Sequence, residues 1–164
     1  MTTFPASSAS ELLDRIGTNL ADIERRIISS GRDPASVRVV AVTKTFGPNE
    51  VRTAFALGLR DFGENYVDEL CDKRAVLEGE AVAWHFIGAL QTNKIARVLR
   101  CADVLSGVSR TRELERIAAL KEGATIDVQV DFTREAGRNG ASPGEVEGLV
   151  DRARELKVNV RGLM

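Results

Sequence analysis

The stretch VRVVAVTK at residues 37–44 decides the fold, because it is a largely apolar, β-branched run that ends in a lysine. This composition predicts a strand of a parallel sheet with both faces covered. Gly47 and Pro48 follow, and a proline in this position indicates the first turn of a helix. Residues 37–58 therefore form one predicted strand–helix unit.

The strand–helix alternation repeats along the rest of the chain. Predicted strands begin near residues 37, 59, 82, 104 and 125, at a spacing of 22, 23, 22 and 21 residues, and a sixth covers 158–163. Such regular units favour an α/β fold of the (β/α) TIM-barrel type. A doubly wound open sheet is the alternative, because the order of strands cannot be read from sequence.

An additional helix precedes the first strand. Ser8 and Glu11 have capping-box spacing, and apolar residues then recur at steps of three and four until Gly31. At the other end of the chain, Ser142, Pro143 and Glu145 combine an N-cap, a proline at the first helical position and a capping glutamate. We expect a helix to begin at each of these signals.

The bulk composition is that of one globular domain covering residues 1–164, with 43% hydrophobic and 29% charged residues. A net charge of -1 argues against nucleic acid or anionic lipid as the main partner. No apolar run approaches the length of a membrane span, and residues 1–10 lack the pattern of a secretory leader. We therefore expect a cytoplasmic protein, and a monomer for a complete barrel.

The cysteines, Cys71 and Cys101, lie far apart in the sequence and have no C-x-x-C spacing. Together with the single histidine, His85, they cannot complete an ordinary structural zinc site. We predict reduced thiols and no metal.

Polar residues follow several predicted strands, where the reactive groups of parallel α/β proteins lie. Lys44 ends an otherwise apolar strand, so we expect it to be partly desolvated, which favours the neutral amine that attacks an aldehyde. A lysine that simply reaches into solvent is the alternative. Asn65 after the second strand is either a site residue or the N-cap of the next helix.

The third strand contains the sequence WHFIG at residues 84–88. Alternation places His85 on the face opposite Trp84 and Phe86. A lone histidine in such a strand is either a ligand-binding group or a satisfied core residue. The residues alone thus indicate an α/β protein with one conspicuous lysine.

Four segments, taken together, resemble one known family. They are VTKT at residues 42–45, FGENYV at 62–67, WHFIGALQTNK at 84–94 and RGLM at 161–164. In this order and spacing they resemble the pyridoxal-phosphate homeostasis family, over roughly residues 12–164. The resemblance implies a fold-type III barrel, similar to that of alanine racemase, that holds pyridoxal 5′-phosphate as an aldimine on Lys44. It further implies that Asn65 lies beside the cofactor and that His85, Ile87 and Gly88 line the pocket.

The implied function is a non-enzymatic carrier or buffer that holds pyridoxal phosphate (PLP) and delivers it to PLP-dependent acceptor enzymes, with no catalytic residue. A PLP-dependent racemase-like enzyme and a barrel that does not bind the cofactor are the alternatives. The chain departs from the family pattern at Ala89, where proline is usual, and at Ser106-Gly107, where many members have histidine and threonine.

The end of the sequence carries a further expectation. Family members continue past the RGLM segment through two more strands, which supply the groups that hold the phosphate. The resemblance therefore implies a barrel truncated after strand six of eight, whose phosphate-binding residues lie beyond Met164 and which binds the cofactor weakly.

Overall fold

The computed structural model of the chain describes residues 9–133, 135 and 137–164. The strands are β1 (Val40–Val42), β2 (Asp61–Glu64), β3 (Ala83–Phe86), β4 (Val104–Val108), β5 (Thr125–Val128) and β6 (Asn159–Leu163). The helices are α1 (Ala9–Ser29), α2 (Pro48–Ala56), α3 (Val67–Val76), α4 (Ile95–Cys101), α5 (Thr111–Leu120) and α6 (Val146–Glu155). Short 3₁₀ helices cover Pro34–Ser36 and Pro143–Glu145.

The six strands form one sheet, and their order in space is their order in the chain, β1 to β6. All five neighbouring pairs are parallel. In a doubly wound sheet the strand order reverses at a switch point, so the first strand lies inside the sheet. The sequential order seen here has no such reversal and therefore favours the barrel-type fold. The sheet is not closed, because β1 and β6 are its two edges.

The hydrophobic core lies between the sheet and the helices. Right-handed crossovers between parallel neighbours bring the connecting helices onto one face of the sheet, called here the outer face. Phe62 and Trp84 point to this face with their rings stacked at a centroid distance of 5.2 Å, and Leu70, Ile95 and Leu114 from the helices are fully buried with them. His85 points to the opposite, inner face, as the alternation predicts.

The helix-start signals have mixed outcomes. The capping box at Ser142 is confirmed, since both its N–H and its hydroxyl bond to the Glu145 carboxylate. The prediction that Asn65 is the N-cap of the next helix is wrong. The N-cap of α3 is Tyr66, one residue later, whose backbone is extended. The Ser8 cap of α1 lies outside the described residues.

The first strand is shorter and less covered than its sequence predicts. It spans only Val40–Val42 of the predicted residues 37–43, and Val42 is 47% exposed. The prediction of two covered faces is wrong, because Val42 lies in register with Gly63 and His85 on the inner face and is exposed there.

The prediction of reduced thiols is also wrong, because Cys71 and Cys101 form a disulfide with a Cα–Cα distance of 5.2 Å. The two cysteines are 30 residues apart in the chain. However, α3 and α4 follow neighbouring strands and pack against one another, so the fold brings the cysteines together. Distance along the sequence is therefore a poor guide to pairing in a repeated strand–helix fold.

Across the described part of the chain, no helix combines the length and the apolar character needed to cross a membrane.

Candidate functional site

The carboxyl ends of the first three strands bring three of the predicted site residues to one level. Main-chain hydrogen bonding between β1 and β2, and between β2 and β3, continues one residue past the assigned strand ends. Lys44, Asn65 and Ile87 follow these bonds, so all three lie at the carboxyl end of the sheet. Parallel α/β folds bind their ligands at this end.

Lys44 itself is exposed, so the partial desolvation expected for it is wrong for the chain as described. Lys44 lies two residues beyond the last residue of β1, in the turn that leads towards α2. Among the described residues, the Lys44 amine has no hydrogen-bond or ion-pair partner. The side chain is thus available to a ligand, whereas the backbone around it is firmly held.

An open cavity of about 470 Å³ lies at the same edge of the sheet. It includes Asn65 and Ile87, but Lys44, His85 and Gly88 are not among the described residues that line it. The other lining residues are Ala89, Gln129, Val130, Asp131, Phe132, Thr133, Arg138 and Asn139. The segment after β5 therefore forms one wall of the cavity, and the sequence motifs did not indicate that contribution.

Two glycines keep the strand ends unusually close beside this cavity. A Cβ atom on Gly88 would lie 2.3 Å from the Asn65 carbonyl oxygen, and one on Gly107 would lie 2.4 Å from the Gly88 carbonyl oxygen. Both distances are far shorter than any real carbon–oxygen contact. Glycine is thus required at position 88, because the Asn65 carbonyl fills the space that a side chain would need.

His85 belongs to what we call the inner polar cluster, made of Asp61, His85, Ser106, Asp127 and Arg161. The His85 ring is 1% exposed, and its Nε2 atom lies 2.9 Å from Asp61 Oδ1. Its Nδ1 atom is 3.5 Å from the Arg161 guanidinium. His85 is therefore buried and partnered, and its assignment to the cofactor pocket stays a prediction.

The rest of the inner polar cluster connects three strands, β4, β5 and β6. Arg161 donates to both oxygens of Asp127, at 3.0 and 2.6 Å, and the Ser106 hydroxyl donates to the same carboxylate at 2.7 Å. The cluster therefore runs from β2 through β3 and β4 to β5 and β6, and it uses side chains only.

A second group, called here the outer cluster, consists of Thr43, Glu64, Glu69, Lys73 and the main chain of Thr45. The Lys73 ammonium is buried and donates to Glu64 Oε1 at 2.8 Å, Glu69 Oε2 at 2.8 Å and the Thr43 carbonyl at 2.7 Å. The Thr43 hydroxyl also donates to Glu64, at 2.6 Å. Glu69 in turn accepts the Thr45 N–H at 2.9 Å.

Two properties of the outer cluster bear on its strength. The hydrogen bond from Lys73 lowers the pKa of Glu69, burial raises it to a smaller extent, and the Thr45 N–H lowers it further, so the net shift is downward. Thr45 has a φ of 68°, a left-handed conformation that is unfavourable for a β-branched residue. Such strain costs about 1–3 kcal/mol and persists only where surrounding contacts hold it.

Sequence reasoning missed most members of both clusters. A signal for the outer cluster was present, since Glu69 and Lys73 have the i, i+4 spacing of a helical ion pair. Asp61 and Asp127 had a weaker signal, as acidic residues within apolar strands. In the described ranges, no group of three or more His, Cys, Asp or Glu side chains could hold a metal ion.

Comparison with known proteins identifies the family. Residues 12–164 match the model of the alanine racemase N-terminal domain. The chain is 34% identical over 161 residues to the pyridoxal phosphate homeostasis protein of Pseudomonas aeruginosa, with 93% of this chain and 70% of the relative covered. The corresponding protein of Escherichia coli K12 is 30% identical over 164 residues, with the same coverage. The chain therefore belongs to the pyridoxal phosphate homeostasis protein family.

Solved structures agree with this membership. PipY of Synechococcus elongatus, solved with PLP bound, superposes with a TM-score of 0.76 at 28% identity, covering 91% of this chain and 69% of PipY. Alanine racemase of Clostridium difficile superposes with a TM-score of 0.71 at 16% identity, covering 92% of this chain and 40% of the racemase. The second likeness shows the shared fold alone.

Proposed function

We propose that this chain binds pyridoxal 5′-phosphate through Lys44 and serves PLP homeostasis as a reversible carrier. The observation that carries the proposal is the Lys44 amine, which is exposed and without a protein partner at the carboxyl edge of the sheet, at the level of Asn65 and Ile87. The names of the relatives and the PLP-bound PipY structure support the choice of ligand.

The residues present fit such a ligand. A cavity of about 470 Å³ is within the usual range for small-molecule sites, and Asn65 and Ile87 offer it one amide and one apolar side chain. Gly88 lets the backbone after β3 pack directly against the Asn65 carbonyl, which fixes the main chain next to these two cavity residues. We assign His85 a supporting role beneath Gly88, because its ring is buried against Asp61.

When bound, the cofactor supplies an aldehyde carbon to which a lysine amine adds reversibly, with loss of one water molecule. The chain contributes the side-chain amine of Lys44 and a site at the carboxyl end of the sheet. Because addition of water reverses the link, one residue serves both storage and release. We propose PLP-dependent enzymes as the acceptors of the released cofactor.

We propose further that the chain has no turnover of its own. Racemisation by the alanine-racemase route needs a second acid–base group, a tyrosine, on the opposite side of the reacting carbon. The sequence has one tyrosine, Tyr66, which is 55% exposed at the start of α3. Tyr66 lies after β2, one strand away from Lys44, and more than half of its surface is exposed to solvent.

Borohydride reduction after incubation with PLP, followed by mass spectrometry, tests the carrier proposal. We expect a pyridoxyl adduct on Lys44 in the parent chain and its loss in Lys44→Ala. Lys121→Ala is the matched control, since Lys121 is also exposed but lies at the amino end of β5. Absence of an adduct on Lys44 at saturating PLP would overturn the proposal.

The shared fold with alanine racemase keeps a racemase-like enzyme as the second candidate. It is tested by exchange of the α-proton of a panel of amino acids in deuterated water with the PLP-loaded chain. Incorporation of deuterium that disappears in Lys44→Ala would favour the enzyme over the carrier.

A further inference from the structure

We propose that Lys73 is a positioning residue for Lys44, which acts through Glu69 and the Thr43 carbonyl to fix the backbone on both sides of the binding lysine. This inference rests on the proposed function of Lys44. Its basis is that Lys44 has two anchored neighbours: Thr43 accepts a hydrogen bond from Lys73, and Thr45 donates one to Glu69.

The first step of the argument concerns how Lys73 uses its three donors. A buried ammonium needs several oxygens around it to offset its lost hydration, and two carboxylates supply charge compensation here. The third partner is the main-chain carbonyl of Thr43, at the short distance of 2.7 Å. Lys73 is thus bonded directly to the peptide group that links Thr43 to Lys44.

The second step concerns the residue on the other side. Thr45 holds a φ of 68°, which turns the chain away from the direction of β1 directly after Lys44. Its N–H donates to Glu69 Oε2, the same oxygen that accepts from Lys73. A turn hydrogen bond from the Phe46 N–H to the Thr43 carbonyl at 3.0 Å spans Lys44, and α3 adds one bond on each side of it, while the Lys44 side chain remains unheld.

The third step is that the outer cluster is not arranged for maximum pairing. Glu64 is fully buried, yet its Oε2 atom has no hydrogen-bond partner within the described residues. A buried acceptor without a partner reduces stability. The bonds that the cluster does form converge on the residues flanking Lys44, as a positioning role requires.

The ionisation of Glu69 agrees with this arrangement. The Lys73 hydrogen bond is the main cause of its lowered pKa, so the carboxylate is charged at neutral pH and is a strong acceptor for the Thr45 N–H. The charged groups that contact Lys73 are Glu64 from β2 and Glu69 from α3. Loss of either Lys73 or Glu69 should release the chain at Thr45.

The test combines a readout without cofactor and a readout with PLP. In the cofactor-free chain, hydrogen exchange of the Thr45 amide is measured by NMR. Glu69→Ala removes the acceptor, so we expect exchange at least about tenfold faster. Glu69→Gln keeps an acceptor oxygen and should recover much of the protection. Glu122→Ala is the control, because Glu122 also pairs with a lysine but is exposed and distant in the fold.

In the second readout, PLP affinity is measured from the absorbance band of the lysine adduct. We expect about tenfold weaker binding in Glu69→Ala, partial recovery in Glu69→Gln and no change in Glu122→Ala. If Lys73→Met alone fails to fold, Lys73 is tested in the double variant Lys73→Met with Glu64→Gln. This double variant leaves no unpaired charge at the buried position 64. This double variant should show the same weakening as Glu69→Ala.

The outcomes separate the inference from the proposed function. If the parent chain forms the pyridoxyl adduct on Lys44 but Glu69→Ala binds PLP equally well, the positioning role is overturned and the carrier proposal stands. Unchanged exchange of the Thr45 amide in Glu69→Ala also overturns the positioning role. If the parent chain forms no adduct on Lys44, both proposals fail together.

Discussion

The inner and outer clusters differ in what they hold, although both are buried ionic groups on the same sheet. The outer cluster is centred on Lys73 and bonds to main-chain groups of Thr43 and Thr45. The inner polar cluster connects side chains to side chains, and its guanidinium, Arg161, is 37% exposed at the edge strand β6. Hydrogen bonds to main-chain groups fix the path of the backbone, whereas hydrogen bonds between side chains mainly fix the orientation of those side chains.

The difference teaches that burial alone does not indicate which polar residues matter to a site. His85 stood out in the sequence, and the structure places it against Asp61, outside the described residues that line the cavity. Lys73 attracted no attention in the sequence, yet it bonds to the peptide group next to Lys44. The comparison predicts that the outer cluster contributes more to stability than the inner one.

The largest effect is expected from Lys73→Met. This change leaves the fully buried Glu64 carboxylate without its ammonium partner, so we expect the free energy of unfolding to fall by about 3–5 kcal/mol. Urea denaturation followed by circular dichroism measures it. Adding Glu64→Gln should restore at least half of the loss, and a double variant as unstable as the single one would contradict the charge explanation.

The next effect concerns the disulfide that ties α3, the helix of the outer cluster, to α4. Closure of a loop between residues 30 apart constrains the unfolded chain, so replacing both cysteines by serine should cost about 3–4 kcal/mol. The bond itself is checked by thiol alkylation and mass spectrometry without reductant. Alkylation of Cys71 and Cys101 in the folded, unreduced chain would refute the pairing.

A smaller effect is expected in the inner polar cluster. Arg161→Met leaves Asp127 with the Ser106 hydroxyl as a remaining donor, and solvent already reaches the guanidinium. We expect a loss of about 1–2 kcal/mol in the same denaturation assay. A loss as large as that of Lys73→Met would remove the distinction between the two clusters.

The smallest effect is a pH dependence from Glu69. Its pKa is below the ordinary value of 4.5 in the folded chain, so its contribution to stability is complete above that value and declines as the pH falls below it. The difference in unfolding free energy between the parent and Glu69→Gln should be constant from about pH 6 to 8 and shrink below about pH 4.5. A difference that grows on acidification would show the opposite sign and contradict the assignment.

Much of the fold could be predicted from the sequence because periodicity and capping are local. The six strands, their alternation with helices and the Ser142 cap all follow from nearby residues. The disulfide, the short β1 and the exposure of Lys44 could not, because each depends on which strands are neighbours. Strand neighbours are set by tertiary packing, which no window of sequence contains.

The site was predictable in part for a related reason. The strand-end positions of Lys44, Asn65 and Ile87 follow from topology, so the sequence located them at one edge. Their surroundings depend on residues far along the chain, such as the segment after β5 that forms the cavity wall. The assignment of Lys44 and its neighbours to PLP remains a prediction.

The close contacts at Gly88 and Gly107 have a mechanical consequence. The Asn65 carbonyl occupies the space where Gly88 would carry a side chain, and the Gly88 carbonyl does the same for Gly107. An alanine at either position would therefore force the facing carbonyl to move, and with it the backbone beside Asn65 or Gly88. The rim of the cavity at Asn65 thus depends on a residue of the neighbouring strand end that has no side chain.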